Sequence, residues 1–435
     1  VNASSHHREC GVGVPARIVV VGSGAAGIGA AAAARATDPS AEVSICTGSR
    51  EGAGGFDRLF LAGPQTCLDA GIVLRPGTRI TGIDVGRRVI EVEGEGAVSW
   101  DRLVLTAGSE PAADLEGLYH VGSIPPGGAW DEVLSAAKVA VVVGATPPGL
   151  ELVAALAERG IETHLVDPHP SVLSGAADPD IAAPVEESWA EMGVKAHFNT
   201  GVDGYLGEGR VQGVRTAEGE FPADLVVVCT RPAAANDLAA AAGLTVSSTG
   251  GITVDDRMAT SADGVWAAGD CIDLPGDGRF PLQDAGSHAY AQGRVAGTNA
   301  AGGRRVYQPA YVPWSLPAGQ WTLGGVAFGE TQATAAGMSY VLGKAQGISR
   351  ARYYPDVKKV TVKLLAEPGS LRLIGAQMVG GEGIRERADF LGMAVKMGIT
   401  LTDLAFMENV YSPPIGALNE PIAVAAQNGL AGVKA

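Results

Sequence analysis

Three glycines near the start of the chain have the spacing of a phosphate-binding turn. Gly22, Gly24 and Gly27 form the pattern G-x-G-x-x-G directly after the β-branched run from Arg17 to Val21. In such a turn the first glycine permits a tight bend, the second lets a pyrophosphate approach the backbone, and the third lets a helix pack on the strand. The N-terminus of that helix offers free N–H groups to the phosphates. The pattern therefore predicts a dinucleotide site; the alternative is a glycine turn made only for packing.

The elements that follow complete a strand–helix–strand unit around this turn. An Ala-rich run from Ile28 to Ala36 favours a helix, and the run from Ala41 to Ile45 favours a second strand. A Glu or Asp at the end of that second strand commonly grips the adenosine ribose. Thr47 stands in that region here, so we expect a neutral hydroxyl to serve as the acceptor instead of a carboxylate.

A second glycine turn repeats the pattern, 122 residues after the first when Gly144 is counted from Gly22. It follows a strand predicted over 139–143, and it precedes a helix predicted over 150–159 and a strand predicted over 162–166. Two Rossmann-like units on one chain predict two dinucleotide-binding domains.

This second turn departs from the pattern at its centre. Thr146 replaces the middle glycine, where its side chain would crowd a pyrophosphate, and Pro147 and Pro148 each remove an N–H from the group that binds an anion. Two lost hydrogen bonds of about 1.5–3 kcal/mol each would weaken dinucleotide binding by a few powers of ten. We therefore expect weak or absent binding of NAD(H) there. The alternative is a variant loop that still works, in which Asp167 would favour NADH over NADPH.

The composition limits the kinds of protein that this chain can be. The chain has 435 residues, of which 46% are hydrophobic and 18% are charged, so it predicts a globular protein of several domains and excludes global disorder. The formal charge of −15 makes a nucleic acid or an anionic membrane surface an unfavourable partner. No apolar run reaches the roughly 20 residues that a membrane span needs.

The cysteines and the start of the chain bear on location and on metals. The stretch from Val1 to Val14 is polar and Gly-rich and contains no apolar signal-peptide segment. The five cysteines include no C-x-x-C pair, and an odd number fits reduced thiols. Cysteine and histidine also lack the spacing of a zinc site. We therefore expect a cytoplasmic protein without a bound metal.

The last part of the chain has a different pattern, beginning near Tyr307. Two alternating runs over 359–365 and 371–379 predict strands joined by a turn. Thr400 is placed to cap a short helix. This region predicts a separate α+β domain.

Several stretches, in order along the chain, carry a family resemblance. They are the first glycine turn, Thr106-Ala-Gly-Ser-Glu-Pro111, Trp266-Ala-Ala-Gly-Asp270, Gln292-Gly-Arg-Val-Ala-Gly297 and Tyr411-Ser-Pro-Pro414. Together they resemble the pyridine nucleotide-disulfide oxidoreductases. Within that family the chain is most similar to the branch of coenzyme A-disulfide reductase, NADH oxidase and persulfide reductase.

The resemblance implies an α/β fold with two Rossmann-like, three-layer ββα dinucleotide-binding domains and a C-terminal α+β dimerisation domain. It implies an FAD-binding domain whose first part is 1–118 and whose second part is 251–306. An NAD(P)-binding-like domain, 119–250, is inserted between them. The C-terminal domain, 307–435, would build a homodimer.

The resemblance also implies which residues hold FAD. They are Gly22, Gly24, Ala25, Ala26 and Gly27 of the first turn, Thr47, the run Thr106, Ala107 and Gly108, and Gly269 and Asp270 of the late motif. In the family, the Gly-Asp pair holds the ribityl–phosphate region of the flavin. Ala25 and Ala26 stand where the peroxidase branch carries a histidine, which argues against peroxidase chemistry.

The redox cysteine of the family is missing from its expected place. Asp57, thirty residues after Gly27, stands where the family carries that cysteine, and Cys67 lies ten residues further along. A carboxylate cannot form a charge-transfer thiolate or a mixed disulfide. Reduction of disulfides, coenzyme A-disulfide or persulfides by the family route is therefore expected to be absent.

Four residues are candidates for chemistry at the flavin. Asp57, beside Arg58, would act as a general base that removes a proton while a hydride leaves; the alternative is a carboxylate paired with Arg58 or capping a helix. His288 aligns near the start of the helix that points at the flavin pyrimidine ring, with a partly exposed structural histidine as the alternative. Tyr411 resembles the family's tyrosine that reaches the active site of the neighbouring subunit; otherwise it packs before a Pro-Pro turn.

Three functions remain open at this point. The favoured one is an FAD-dependent oxidoreductase, diverged from disulfide reductases, in which a small substrate reduces the flavin directly without a redox-active disulfide. The second is an NADH-dependent flavoprotein reductase or oxidase that passes electrons to oxygen or another non-disulfide acceptor. The third is a redox-neutral enzyme or a scaffold protein in which FAD is structural.

Overall fold

A computed structural model describes residues 15–48, 64–106, 115–121, 124–125, 127–230, 236–248, 250–274, 286–307 and 312–433. The chain divides into two compact units. The first comprises 1–109, 233–276 and 286–308, and the second comprises 110–232, 277–285 and 309–435. In the part of the chain that is described, no helix combines the length and the apolar character needed to cross a bilayer.

Helices are present in both units. They are α1 (Ala25–Thr37), α2 (Pro64–Asp69), α3 (Gly128–Ala136), α4 (Pro147–Glu158), α5 (Pro179–Glu191), α6 (Asp237–Ala241), α7 (Gly286–Ala300), α8 (Glu330–Ala335), α9 (Ile384–Met397), α10 (Leu401–Ala405) and α11 (Pro421–Val433).

Strands alternate with these helices and also form hairpins of their own. They are β1 (Arg17–Val21), β2 (Glu42–Thr47), β3 (Ile72–Pro76), β4 (Ile80–Asp84), β5 (Val89–Val92), β6 (Gly96–Ser99), β7 (Arg102–Leu105), β8 (Leu118–His120), β9 (Val139–Val143), β10 (Glu162–Val166), β11 (Lys195–His197), β12 (Val202–Leu206), β13 (Gly213–Thr216), β14 (Gly219–Pro222), β15 (Leu225–Val228), β16 (Ile252–Thr253), β17 (Val265–Ala267), β18 (Ile272–Asp273), β19 (Trp314–Ala318), β20 (Trp321–Ala327), β21 (Val341–Ile348), β22 (Lys359–Ala366) and β23 (Leu373–Gly380).

The first unit is built on a parallel sheet with the strand order β17-β7-β1-β2-β3. Its central strand β1 is a run of β-branched residues that is buried from Ile18 to Val21, as expected when both faces of a parallel sheet are covered. A core cluster joins this sheet to α1 and to Ile90 and Val92 of the antiparallel sheet β4-β5-β6. The first unit is therefore layered as helix, parallel sheet and antiparallel sheet.

Small residues let helices α1 and α7 pack closely within the first unit. A Cβ added at Gly293 would collide with the carbonyl oxygen of Ala26, and one added at Gly297 would collide with that of Ala30. Only glycine fits where two backbones approach so closely. These two glycines fix the position of α7 against the first two turns of α1.

The second unit contains a second parallel sheet with the strand order β11-β10-β9-β15-β8, and beside it the antiparallel sheet β12-β13-β14. The strands predicted over 139–143 and 162–166 have these bounds in the structure. Helix α4 begins at Pro147 and not at Leu150, because prolines are accommodated in the first helical turn. This is the second Rossmann-like unit that the sequence predicts.

An antiparallel sheet in the order β19-β20-β23-β22-β21 completes the second unit. Helices α9, α10 and α11 share a core cluster with it. Thr400 caps α10, since its side chain accepts a hydrogen bond from the N–H of Asp403, as the sequence predicts. The predicted α/β fold class, with two Rossmann-like units and a C-terminal α+β region, is confirmed. The predicted boundaries after residues 118, 250 and 306 stay predictions.

Candidate functional site

Two glycines of the first turn are required by the packing of the chain itself. Gly22 has a φ of +110°, and a Cβ there would lie 2.5 Å from the carbonyl oxygen of Thr106. A Cβ on Gly27 would collide with the carbonyl oxygen of Gly22. These two residues close the turn and press α1 onto β1, which are the roles predicted for the first and third glycines of the pattern.

The middle glycine has no such reason within the chain. Gly24 is exposed, and a Cβ built on it meets nothing within 4 Å. Its φ of −72° and ψ of −172° place it in the extended region that any residue adopts. The open space over Gly24 leaves room for a phosphate to approach the backbone. The cradle therefore fits the pyrophosphate of a bound dinucleotide.

The start of α1 also suits an anion. Gly24 is the N-cap and makes no side-chain cap, and the first turn, which includes Ala25 and Ala26, carries no acidic residue. The first N–H groups of a helix have no partner inside the helix. These N–H groups can therefore bind a phosphate, and the partial positive charge of the helix N-terminus also attracts it.

Threonines hold the two flanks of the turn. The buried hydroxyl of Thr106 donates to the carbonyl oxygen of Val21 at 2.9 Å, and this bond ties the end of β7 to the end of β1. Thr47 is also buried, and its hydroxyl accepts a hydrogen bond of 3.0 Å from Ser23 Oγ. Ala107 and Gly108, predicted to continue the site, lie outside the described residues.

The structure brings the late Gly-Asp motif against the first turn. Gly269 has a φ of +85°, and a Cβ there would lie 2.9 Å from the Cβ of Ala26. Its N–H donates to Gln292 Oε1 at 2.9 Å. Asp270 follows and is exposed. The predicted FAD residues at both ends of the first unit therefore meet at the N-terminus of α1.

Gln292 is a positioning residue that the sequence reasoning did not single out. It is a buried amide on α7, and its bond to the Gly269 N–H fixes the late motif. The signal that could have revealed it is a polar residue flanked by Ala291 and Gly293, because a polar group buried among small residues is hydrogen-bonded.

The four candidates for chemistry are distributed over the chain. His288 is buried in the first turn of α7, and its neighbour Ala289 packs by Gly269. Tyr411 is half-exposed in the second unit, where a hydrogen bond with it raises the pKa of the Tyr353 phenol. Asp57 and Arg58 lie outside the described residues.

The described cysteines, Cys46, Cys67, Cys229 and Cys271, are all buried. Burial raises the pKa of the Cys46 and Cys67 thiols, and it raises the pKa of Cys229 to about 12. The reactive form of cysteine is the thiolate. Burial therefore disfavours the thiolate form of these three cysteines.

The second glycine turn has the same backbone packing as the first but offers different groups to a ligand. Gly144 has a φ of +106°, and a Cβ on Gly149 would collide with the carbonyl oxygen of Gly144. Thr146 is the N-cap of α4, and its hydroxyl donates to the carbonyl oxygen of Cys229 at 2.7 Å. Because Pro147 and Pro148 open the helix, two of its first backbone positions have no N–H to offer.

The side chain of Asp167 binds a further backbone N–H group of the second turn. The buried carboxylate of Asp167 accepts a hydrogen bond of 2.6 Å from the N–H of Ala145. Its other oxygen is bonded to the N–H and to Nδ1 of His169, each at 2.8 Å. Asp167 lies at the end of β10, where it was predicted to favour NADH. Its carboxylate is engaged with the protein's own backbone and with His169, and the preference for NADH stays a prediction.

Comparison with known proteins decides the family. The family model for pyridine nucleotide-disulphide oxidoreductases matches residues 16–296, and the model for the dimerisation domain of the same family matches residues 319–421. The chain belongs to the pyridine nucleotide-disulphide oxidoreductase family. The predicted family is thus confirmed, and so is the prediction that this member is an FAD-dependent oxidoreductase.

Relatives of this oxidoreductase cover nearly its whole length. It is 29% identical to the NADH oxidase of Methanocaldococcus jannaschii over 95% of this chain and 98% of that protein. It is 27% identical to the NAD(P)H coenzyme A polysulfide/persulfide reductase of Pyrococcus horikoshii over 94% of this chain and 98% of that protein. The structure of an NAD-dependent persulfide reductase from A. fulgidus has a TM-score of 0.84 and 29% identity, covering 96% of this chain and 83% of that one.

Proposed function

We propose that this flavoprotein oxidises a small substrate directly and does so without a redox-active cysteine. The substrate gives up a hydride and a proton and so loses two electrons, and dioxygen or another small acceptor later takes those electrons from the reduced enzyme. The observation that carries the proposal is the contrast between the two glycine turns. The first is open at Gly24, whereas the second has lost donors at Pro147 and Pro148.

The residues that would hold FAD belong to the first turn and the late motif. Gly22, Gly24 and Gly27 would cradle its pyrophosphate, and Asp270 would hold the ribityl–phosphate region. Bound FAD supplies the capacity to accept a hydride from an organic substrate. The protein's contribution is to bind and orient both molecules and to move the proton.

Asp57 is the residue proposed to take that proton. A carboxylate in the place of the family's cysteine cannot relay electrons through sulfur, but it serves as a general base when its pKa is raised by burial. His288 and Tyr411 are proposed to contact the flavin or the substrate. Tyr411 would do so from the neighbouring subunit.

The thiols of the described residues support a route without sulfur. Cys46, Cys67 and Cys229 are buried, and burial raises the pKa of each thiol. A disulfide or persulfide reductase needs a thiolate that a substrate can reach.

A second candidate is an NADH-dependent oxidase or reductase. It is favoured by the relatives named NADH oxidase and by the intact frame of the second turn, in which Gly144 and Gly149 keep their packing roles. In that function the same FAD site would be reduced by NADH, and the acceptor would be oxygen or a small molecule that is not a disulfide.

We also propose that the active form is a homodimer. Phe390, Met393 and Met397 follow one another at spacings of three and four on α9, and they are 45%, 57% and 68% exposed. Such residues share one face of a helix. An apolar stripe of this kind marks an interface, and it lies within the range that matches the dimerisation domain.

Anaerobic mixing of the purified flavoprotein with NADH separates the two candidates. If a small substrate is the donor, millimolar NADH leaves the visible absorbance of the flavin unchanged over many seconds, while dithionite bleaches it. Rapid bleaching by NADH would replace the first candidate with the second. Protein that refuses FAD altogether would contradict both.

A further inference from the structure

The second unit contains a buried lysine that is surrounded by acidic side chains. Lys363 is on β22, with a side chain 2% exposed. Its cross-strand neighbours are Lys344 on β21 and Gln377 on β23. Directly opposite residues of antiparallel strands point to the same face of the sheet. Two lysines therefore stand side by side on one face, an arrangement that costs stability unless anions meet them.

Three carboxylates at the starts of helices α5 and α8 contact these two lysines. The Lys363 ammonium donates to Asp178 Oδ2 at 2.7 Å and to Asp180 Oδ1 at 2.8 Å, and it is ion-paired with Glu330. The other oxygen of Asp180 accepts from Lys344 Nζ at 2.5 Å. The ammonium group of Lys363 can make three hydrogen bonds, and the three acids account for all of them.

Asp178 also connects the ends of two helices. It is the N-cap of α5, and its carboxylate accepts hydrogen bonds from the N–H groups of Glu330 and Thr331 at 3.0 and 2.9 Å, at the start of α8. Its own N–H donates to Gln377 Oε1 at 2.7 Å, and Gln377 Nε2 donates to the carbonyl oxygen of Ala176 at 2.9 Å. The cluster therefore joins the α5 side of the second parallel sheet to the antiparallel sheet through satisfied polar contacts.

The charges of the cluster depend on one another. Burial opposes the charge on Lys363, yet hydrogen bonds with Asp178, Asp180 and Glu330 raise the pKa of its ammonium. Burial likewise opposes the charge on Asp178, yet the Lys363 ammonium and the two backbone N–H groups hold the pKa of that carboxyl below its usual value. Removing the lysine would leave the buried carboxylate of Asp178 without its cation, which is strongly destabilising.

We propose that Lys363 is an internal cation that fastens the second parallel sheet to the antiparallel sheet, in the role that a divalent metal ion has elsewhere. The ligand-type oxygens of Asp178, Asp180 and Glu330 lie within 4.8 Å of one another, which is the arrangement of a hard-cation site. The ammonium group occupies its centre. The consequence is that the two sheets unfold together as one body.

The test compares lysines of the same sheet in the full-length flavoprotein. Lys363→Met removes the internal cation, Lys344→Met removes the partner that bonds only Asp180, and Lys359→Met removes an exposed lysine from the same strand. We expect the unfolding temperature of the second unit to fall by about 10 °C for Lys363→Met, by less for Lys344→Met, and not measurably for Lys359→Met. Hydrogen exchange at the amides of Asp178, Glu330 and Thr331 should quicken only when the cluster is broken.

Calcium provides a second readout for the role of the cation. In Lys363→Ala the three carboxylates remain and the ammonium is gone, so millimolar CaCl₂ should raise its unfolding temperature by binding the native state. Lys359→Ala should show no such response. Equal unfolding temperatures for Lys363→Met and Lys359→Met, or a Lys363→Ala protein that calcium does not stabilise, would overturn the proposal. If Lys363→Met fails to fold, the milder Lys344→Met decides in the same way.

Discussion

The N–H of Ala145 donates a hydrogen bond of 2.6 Å to the carboxylate of Asp167. This bond places a negative charge against the second glycine turn and occupies one of the donors that the turn could offer to a phosphate. Together with Pro147 and Pro148 it leaves the second turn poorer in anion-binding groups than the first. The backbone packing of the two turns is the same, but the number of N–H groups that each leaves for a pyrophosphate is not.

Restoring the donors of the second turn should create or strengthen a response to NADH. In the triple variant Thr146→Gly, Pro147→Ala, Pro148→Ala, two backbone N–H groups return and one side chain is removed. At about 1.5–3 kcal/mol for each hydrogen bond to a charged group, the NADH concentration for half-maximal flavin reduction should fall at least a hundredfold.

Stopped-flow absorbance under anaerobic conditions measures this change. Pro184→Ala, which replaces a proline inside α5, is the matched control and should behave as the wild type does. A wild-type protein already reduced by micromolar NADH, with no gain in the triple variant, would contradict the account of the second turn.

A side chain at Gly24 should prevent FAD binding without harming the fold. A Cβ at position 24 meets no atom within 4 Å, and the backbone there is extended, as valine prefers, but the valine side chain fills the space over the turn. Loss of one charge-assisted hydrogen bond costs about 1.5–3 kcal/mol, so FAD should bind at least tenfold more weakly. Fluorescence titration of the apoprotein measures the affinity, and thermal unfolding of the apoprotein should be unchanged. Gly204→Val on β12 is the control; equal FAD affinities in the two variants would refute the role of Gly24.

Asp57→Asn should lower turnover and leave the flavin spectrum intact. The amide has nearly the same shape but cannot accept a proton, and a positioned general base contributes about 10²–10⁴-fold to a rate. Steady-state kinetics with the substrate that the enzyme oxidises measure the loss of turnover. Asp69→Asn changes an exposed carboxylate on α2 and should keep full activity. If Asp57→Asn keeps it too, the carboxylate has no catalytic role.

A charge on the apolar stripe of α9 should break the homodimer. Met393→Asp would bury a carboxylate at the proposed interface, and an unpaired buried charge is costly. Sedimentation velocity should show a dimer for the wild type and a monomer for this variant. Tyr205→Asp, at a 40% exposed residue on β12, should remain dimeric. A monomeric wild-type protein would contradict the proposal at once.

Local pattern was enough to predict several of the strands and part of the packing of the first glycine turn. The runs over 139–143 and 162–166 became strands with those bounds, because a buried parallel strand needs only a short β-branched run between turn residues. The contact between Gly27 and the carbonyl oxygen of Gly22 also lies within one turn, whereas the close contact of Gly22 is with Thr106, 84 residues along the chain.

What the sequence could not reveal depends on residues that meet only in the folded chain. Gln292 bonds the N–H of Gly269, and Lys363 bonds acids that are 183 and 185 residues away. A buried lysine in a strand gives no sign of its partners in the sequence. The engagement of Asp167 with Ala145 likewise requires the strand end and the turn to be placed together.

We propose that electrons reach and leave the flavin without a cysteine relay. An anaerobic reductive titration with dithionite tests it most directly, since each redox-active sulfur centre adds to the electrons that the protein takes up. The account predicts full reduction at one two-electron equivalent per flavin, with no long-wavelength thiolate–flavin absorbance on the way. Uptake of a second equivalent per flavin, or the appearance of that charge-transfer band, would contradict it.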